Sequence, residues 1–288
     1  MRHKIVVIGL MMASAGLMAS PQEIVVTESD FEEEKVYSPF VGRSYPDNVF
    51  FGDTHFHTNL SFDAGLVGTS LDASTGFRFA RGEEVRSNTG QRVQLIRPLD
   101  FLAITDHAEL IGLAPMLQTA DPLLLADEWG RWAYEQFSSG QEGRMKLFQE
   151  IIRISTVEGT NPFESNAAAK SIWQDFVKTA EAYNEPGRFT TMTGFEWTST
   201  PRGDNLHRVV LFADGAEKTS QTLPYSMFDS DDPEDLWKFL AAYEAKTGGR
   251  AISPAHNGNT SNGLMFNGKD FKGKKITKSY AEMRMRFE

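Results

Sequence analysis

Five short apolar runs, each meeting a polar cluster that carries a histidine or a glutamate, constrain this chain more than any other feature. Val49-Phe50-Phe51 leads to Asp53, His55 and His57, and Leu99 to Ile104 leads to Thr105-Asp106-His107. Phe189 to Met192 leads to Gly194-Phe195-Glu196, His207 opens the run Val209 to Phe212, and Ala251-Ile252 leads to His256. Runs this short, bounded by polar or turn residues, suit buried strands better than helices. Helical patterns lie between them. Asp72 to Arg81 has a candidate N-cap in Asp72, and residues 123 to 155 carry one or two helices with a break at Gly140. Ala167 to Tyr183 shows an apolar stripe that stops at Pro186-Gly187, and a helix starting at Asp232-Pro233-Glu234 runs to Gly248-Gly249. Strands alternating with helices predict an α/β fold with a mainly parallel sheet or barrel. Lys269 to Glu288 is basic and polar and offers no evident closing element.

Outside the first few residues, every histidine in the chain stands beside one of these runs, four at the end of a strand and one at the start. A single histidine there is usually a satisfied core residue. Five together, where loops converge, point to ligand binding. His55 and His57, two apart on a strand, project from one face and form a natural chelating pair. Asp63 adds a carboxylate that can cap a turn or bind metal. Asp106-His107 sets a carboxylate beside an imidazole, so that one can bind metal while the other orients a ligand; Thr105 or Asp106 can also cap a helix. Glu196 at a strand end can bridge two metals, and His207 and His256 add imidazoles. Histidine with carboxylate suits divalent Zn, Mn or Fe alike.

Charge narrows the partners. With 39 acidic against 29 basic residues the net charge is -10, which argues against a nucleic-acid or anionic-membrane surface. A small anionic substrate stays compatible, because bound metal supplies positive charge locally. Arg81, Arg202 and Arg208 are candidates to pair with a phosphate. Without a cysteine, thiolate metal sites and cysteine nucleophiles are excluded. Arg2, His3 and Lys4, the apolar run Ile5 to Met12, and small residues at Ala13-Ser14-Ala15 and Ala19-Ser20 read as a secretory signal over 1–20. The protein is therefore expected to be exported, periplasmic or secreted. An acidic, polar lead-in follows over 21–47, and no later segment approaches the ~20 apolar residues of a membrane span.

Taken jointly, His55-x-His57 with Asp63, Thr105-Asp106-His107, Gly194-Phe195-Glu196, His207 and Pro254-Ala255-His256-Asn257 resemble the PHP (polymerase and histidinol phosphatase) superfamily. The Gly-Asp-x-His-x-His start, Phe79-Ala80-Arg81-Gly82 and Gly194-Phe195-Glu196-Trp197 resemble the group within it called domain of unknown function 3604. The resemblance runs from about Asn48 to Asn262. It implies a distorted seven-stranded (β/α) barrel with two or three metals. His55 and His57 would hold the first metal, Glu196 would bridge the first two, His207 and His256 would complete the second, and Asp63 and His107 would serve the third. The family's last Asp-x-His motif does not follow His256. Residues 48–288 are therefore expected to be a partial metal-binding domain, the N-terminal portion of a longer protein with its barrel incomplete at the C-terminus. The expected activity is hydrolysis of a phosphoester by metal-activated water, with Asp106 in an orienting or proton-handling role. An amidohydrolase-type enzyme, or a module that binds metal without catalysis, are the alternatives.

Overall fold

The computed structural model describes residues 48–163 and 166–288. The signal and lead-in expected over 1–47 lie outside the described residues. The body begins with β1 (Gly52–Asp53), α1 (Phe62–Leu66) and α2 (Ala73–Ala80), then a hairpin of β2 (Val85–Arg86) and β3 (Arg92–Val93). After β4 (Phe101–Ile104) come α3 (Leu113–Thr119), α4 (Pro122–Ala126), α5 (Glu128–Ser138), α6 (Gln141–Arg153) and α7 (Asn166–Tyr183). The chain continues through β5 (Thr190–Trp197), β6 (Arg208–Phe212), α8 (Ala216–Thr219), α9 (Pro233–Thr247), β7 (Ala251–Ile252) and α10 (Lys278–Phe287).

Local chemistry sets most helix ends where the sequence predicts them. The Asp72 carboxylate accepts the Thr75 N–H and starts α2, and Asp232 does the same for Glu234 at the start of α9. Gly248 ends α9 in the left-handed conformation, at φ 65°. The segment 123 to 155 divides further than expected, because Asp127 accepts the Gly130 N–H and starts a separate helix, α5. The break at Gly140 lies between α5 and α6, as predicted. The basic tail departs from expectation. Its residues from Lys278 form α10, started by the Thr277 hydroxyl accepting from Tyr280 N–H, with Phe287 wholly buried.

β1, β4, β5, β6 and β7 form one sheet in that order. β1, β4 and β5 pair in parallel, whereas β6 is antiparallel to both β5 and β7. Four strands thus share a direction and β6 alone runs against them. The connection from β5 to β6 carries no crossover helix, and a link so short suits an antiparallel return. Among the described residues β1 and β7 are the sheet edges, so the sheet is open and no closed barrel is present. At Gly194 a Cβ would lie 2.4 Å from the Val210 carbonyl oxygen, so glycine permits the close approach of β5 and β6.

The main core packs Phe77, Trp173, Phe195, Trp197, Trp237 and Phe287 against the sheet. A second cluster, with Leu113, Leu117, Leu124, Leu147 and Ile151, lies between α1, α3, α4, α5 and α6. Phe50 and Phe51 are exposed, so the first run is not a buried strand. The strand there is the pair Gly52–Asp53, and His55 and His57 lie just beyond it in extended chain. Among the described residues no helix is long and apolar enough to cross a membrane.

Candidate metal centre

The reversed strand explains the odd position of His207. His55, His57, His107 and His256 follow the ends of strands that share a direction. His207 precedes β6, which runs the other way, so its start reaches the same edge. All five imidazoles gather around Glu196, which is buried in β5. Glu196 Oε2 lies 3.0 Å from Nε2 of His55 and 3.0 Å from Nε2 of His57. Glu196 Oε1 lies 2.7 Å from His207 Nδ1, 3.1 Å from His256 Nε2 and 3.8 Å from His107 Nδ1. Asp63 Oδ2 sits 3.3 Å from His107 Nε2, while its other oxygen accepts the Ser61 hydroxyl and the Ala64 N–H. Asp63 therefore shapes the start of α1 and faces the centre at once.

This donor set fits divalent metal. Two ligands about 2.0–2.1 Å from zinc at the tetrahedral angle stand roughly 3.3 Å apart. The Nε2 atoms of His55 and His57 are 2.9 Å apart, close to that spacing. Nδ1 of His256 is buried without a hydrogen-bond partner and Nε2 has only the Glu196 oxygen nearby, an arrangement that would be costly unless an ion engages the ring. Two groups of donors converge within 4.8 Å, His55–Glu196–His256 and His57–His107–Glu196. They share Glu196 but divide His55 from His57, which the family resemblance assigns to one metal.

Charge at the centre is set by burial against neighbours. Burial alone would raise the Glu196 carboxyl, but His107, His207, His256 and His55 hold it well below the usual carboxylate range. Burial also lowers the His207 imidazole, in spite of its bond to Glu196. The pair is thus a carboxylate facing a neutral imidazole. At His107 burial favours the neutral ring, but Glu196, Asp63 and Glu109 outweigh it and push the imidazole up to about 9. Asp63 is correspondingly held low against its burial, chiefly by His107.

Around the donors stands a ring of hydroxyls that the sequence reading did not single out. Ser61 Oγ is 2.8 Å from His57 Nδ1, Thr200 Oγ1 is 3.1 Å from His207 Nε2, and Thr198 Oγ1 bonds His107 Nδ1. Serine and threonine read from sequence as turn residues, so nothing marked them. Glu109 was missed as well. A carboxylate within the otherwise apolar stretch Ala108 to Ile111 was the available signal. Asp106 turns away from the donors. Its oxygens accept the Thr58 N–H at 2.5 Å and the Thr58 hydroxyl at 2.7 Å, and burial pushes its carboxyl up to about 6. It orients the segment that carries His57.

The three arginines part company. Arg81 ends α2 and pairs with Glu185 at 2.8 Å, at the edge where β4 and β5 begin, across the sheet from the histidines. Arg208 pairs across the strands with Trp197, so it lies on the face opposite Glu196, where it is buried against Glu288 at 2.8 Å. Neither is placed to meet a ligand at the centre, because each sits at a wall of the fold with its own carboxylate. Arg202 is exposed on the β5–β6 connection, at the histidine edge. A cavity of ≈ 400 Å³ begins at Ala108, directly after His107, and reaches Phe163, Leu223 and Phe228.

The fold and site define a mixed α/β protein whose buried histidine–glutamate cluster at one sheet edge can hold metal ions. The chain belongs to the family described as protein of unknown function (DUF3604), which matches residues 44–288. No curated protein and no solved structure matches it.

Proposed function

We propose that this protein is a metal-dependent hydrolase of the PHP type, acting on phosphoesters through two or three divalent ions. The observation that carries the reading is Glu196, whose two oxygens face different histidine groups, His55 and His57 on one side and His207 and His256 on the other. A carboxylate so placed is suited to be shared between ions about 3.5–4 Å apart. Bound ions would supply Lewis-acid charge and water acidified to near neutral pH.

The chain's own residues then divide the work. His55, His57, His107, His207 and His256 with Asp63 and Glu196 hold the ions. Ser61, Thr198 and Thr200 fix ring orientations, and Asp106 fixes Thr58 beside His57. Arg202, exposed on the connection that leads to His207, is the arginine proposed to pair with a phosphate oxygen. An anionic small molecule would thus meet positive charge at the centre of an acidic protein. The reading includes export, which the pattern of residues 1–20 supports.

The test is metal content together with hydrolysis of p-nitrophenyl phosphate by the purified chain supplied with Mn, Zn or Fe. Turnover is expected with at least one ion. His55→Ala and Glu196→Gln should each lower it by more than about 100-fold, beyond the 10–100-fold typical of outer partners. Turnover that survives both substitutions sinks the assignment. Metal bound without turnover of any phosphoester leaves a binding module and removes the hydrolase.

A further inference from the structure

Glu109 takes no part in the donor set, yet it is a carboxylate buried beside it. It is 1% exposed, two residues beyond His107. One oxygen, Oε1, accepts backbone N–H groups from two separate segments, Thr198 at 3.1 Å and Met227 at 2.7 Å. The other, Oε2, has no hydrogen-bond partner and lies 4.0 Å from His107 Nδ1. The backbone beside it is strained. Leu110, the next residue, holds a left-handed φ of 51°, which an L side chain rarely adopts. A buried carboxylate with an unsatisfied oxygen costs stability, so its retention beside the centre calls for a reason.

Thr198 supplies the link. Its N–H is held by Glu109 while its hydroxyl bonds His107 Nδ1. With Nδ1 so engaged, the other ring nitrogen, Nε2, is the one that faces Asp63 at 3.3 Å. Ligating histidines commonly hold their second nitrogen in this way, and the partner sets both tautomer and ring angle. We propose that Glu109 is the positioning residue of His107: acting through Thr198, it fixes the imidazole so that Nε2 is presented for metal binding. This rests on the metal-binding part of the function proposed above. Met227 is the second anchor of the same carboxylate, and its neighbours Ser226 and Phe228 wall the cavity beside Ala108. The clamp therefore also ties that wall to the centre.

The test is manganese affinity of the full chain by competition with a fluorescent chelator, with the melting temperature of the metal-free protein alongside. Glu109→Gln keeps a carbonyl oxygen for the two N–H donors but loses the charge, and Thr198→Val keeps the N–H but loses the hydroxyl. Each should weaken the manganese site that His107 serves by about tenfold or more. Because both act on one link, the double variant should be little worse than the weaker-binding single. If Glu109→Gln does not fold, Thr198→Val alone decides, and unchanged affinity in it overturns the proposal. Effects that multiply in the double variant, or wild-type affinity in Glu109→Gln, overturn it too. A wild-type chain that takes up no manganese, zinc or iron removes the metal centre itself, and this inference with it.

Discussion

Individual side chains show how far one residue's behaviour depends on its neighbours. His107 is a buried histidine, beside Phe62 with ring centroids 5.0 Å apart, and burial alone would keep it neutral. Three carboxylates reverse that and lift it to about 9. The sign follows directly. In the metal-free protein the ring carries its proton at pH 7, and an arriving ion must displace it. Binding at pH 7 should therefore release about one proton from this ring, and affinity should rise with pH until it levels near 9. Calorimetry in two buffers of different ionisation enthalpy measures the release, and its absence would contradict the charge state. Stability of the metal-free chain should change the opposite way. A raised imidazole contributes fully below its ordinary value of 6.5, and that contribution is lost as pH climbs through about 9. None of this was legible in the sequence, where Asp106-His107-Ala108-Glu109 showed two acids without saying that Asp106 holds Thr58 and Glu109 holds Thr198.

Elements were easier to read than residues, because caps and periodicity are local. The start of α9 is an example, with Asp232 buried at the N-cap and Pro233 in the first turn. Asp232→Ala should cost about 0.5–2 kcal/mol, measured by urea unfolding, and no change would show that Pro233 alone sets the start. The opposite ends of the strands carry a tie point of their own. Asp214, just after β6, accepts the Arg250 N–H at 2.7 Å, the Lys218 ammonium at 3.0 Å and the Tyr243 hydroxyl at 3.1 Å. It ties together α8, α9 and the start of β7. Burial works against its charge, but these donors hold its carboxyl below the ordinary 3.8. A depressed carboxyl contributes stability that is present above its ordinary value and lost as pH falls below it. Wild type should accordingly lose more stability than Asp214→Asn between neutral pH and about pH 3; parallel acid unfolding curves would refute this. What misled at this scale was length. β1 has two residues and its apolar approach is exposed, so hydrophobicity before His55 did not mean burial.

For the whole molecule, the closing contact is α10. Phe287 is wholly buried and its carbonyl accepts the Ser253 N–H at the end of β7, while Glu288 meets the buried Arg208 guanidinium. Phe287→Ala should destabilise the chain by about 3–5 kcal/mol in chemical denaturation, and a loss below about 1 kcal/mol would mean the helix is not part of the core. The sequence by itself determined the α/β alternation, the places of the helices and the identity of the candidate donors. Those follow from local rules, in which apolar period, capping chemistry and residue type act within a few positions. Only the tertiary structure decided that β6 runs backwards, which brings His207 to the same edge as the other four histidines. Only it decided that Arg81 and Arg208 lie away from that edge, and that Glu109 stands behind His107. Strand direction, facing and burial are set by which segments pack together across long separations, and spacing along the chain does not encode them.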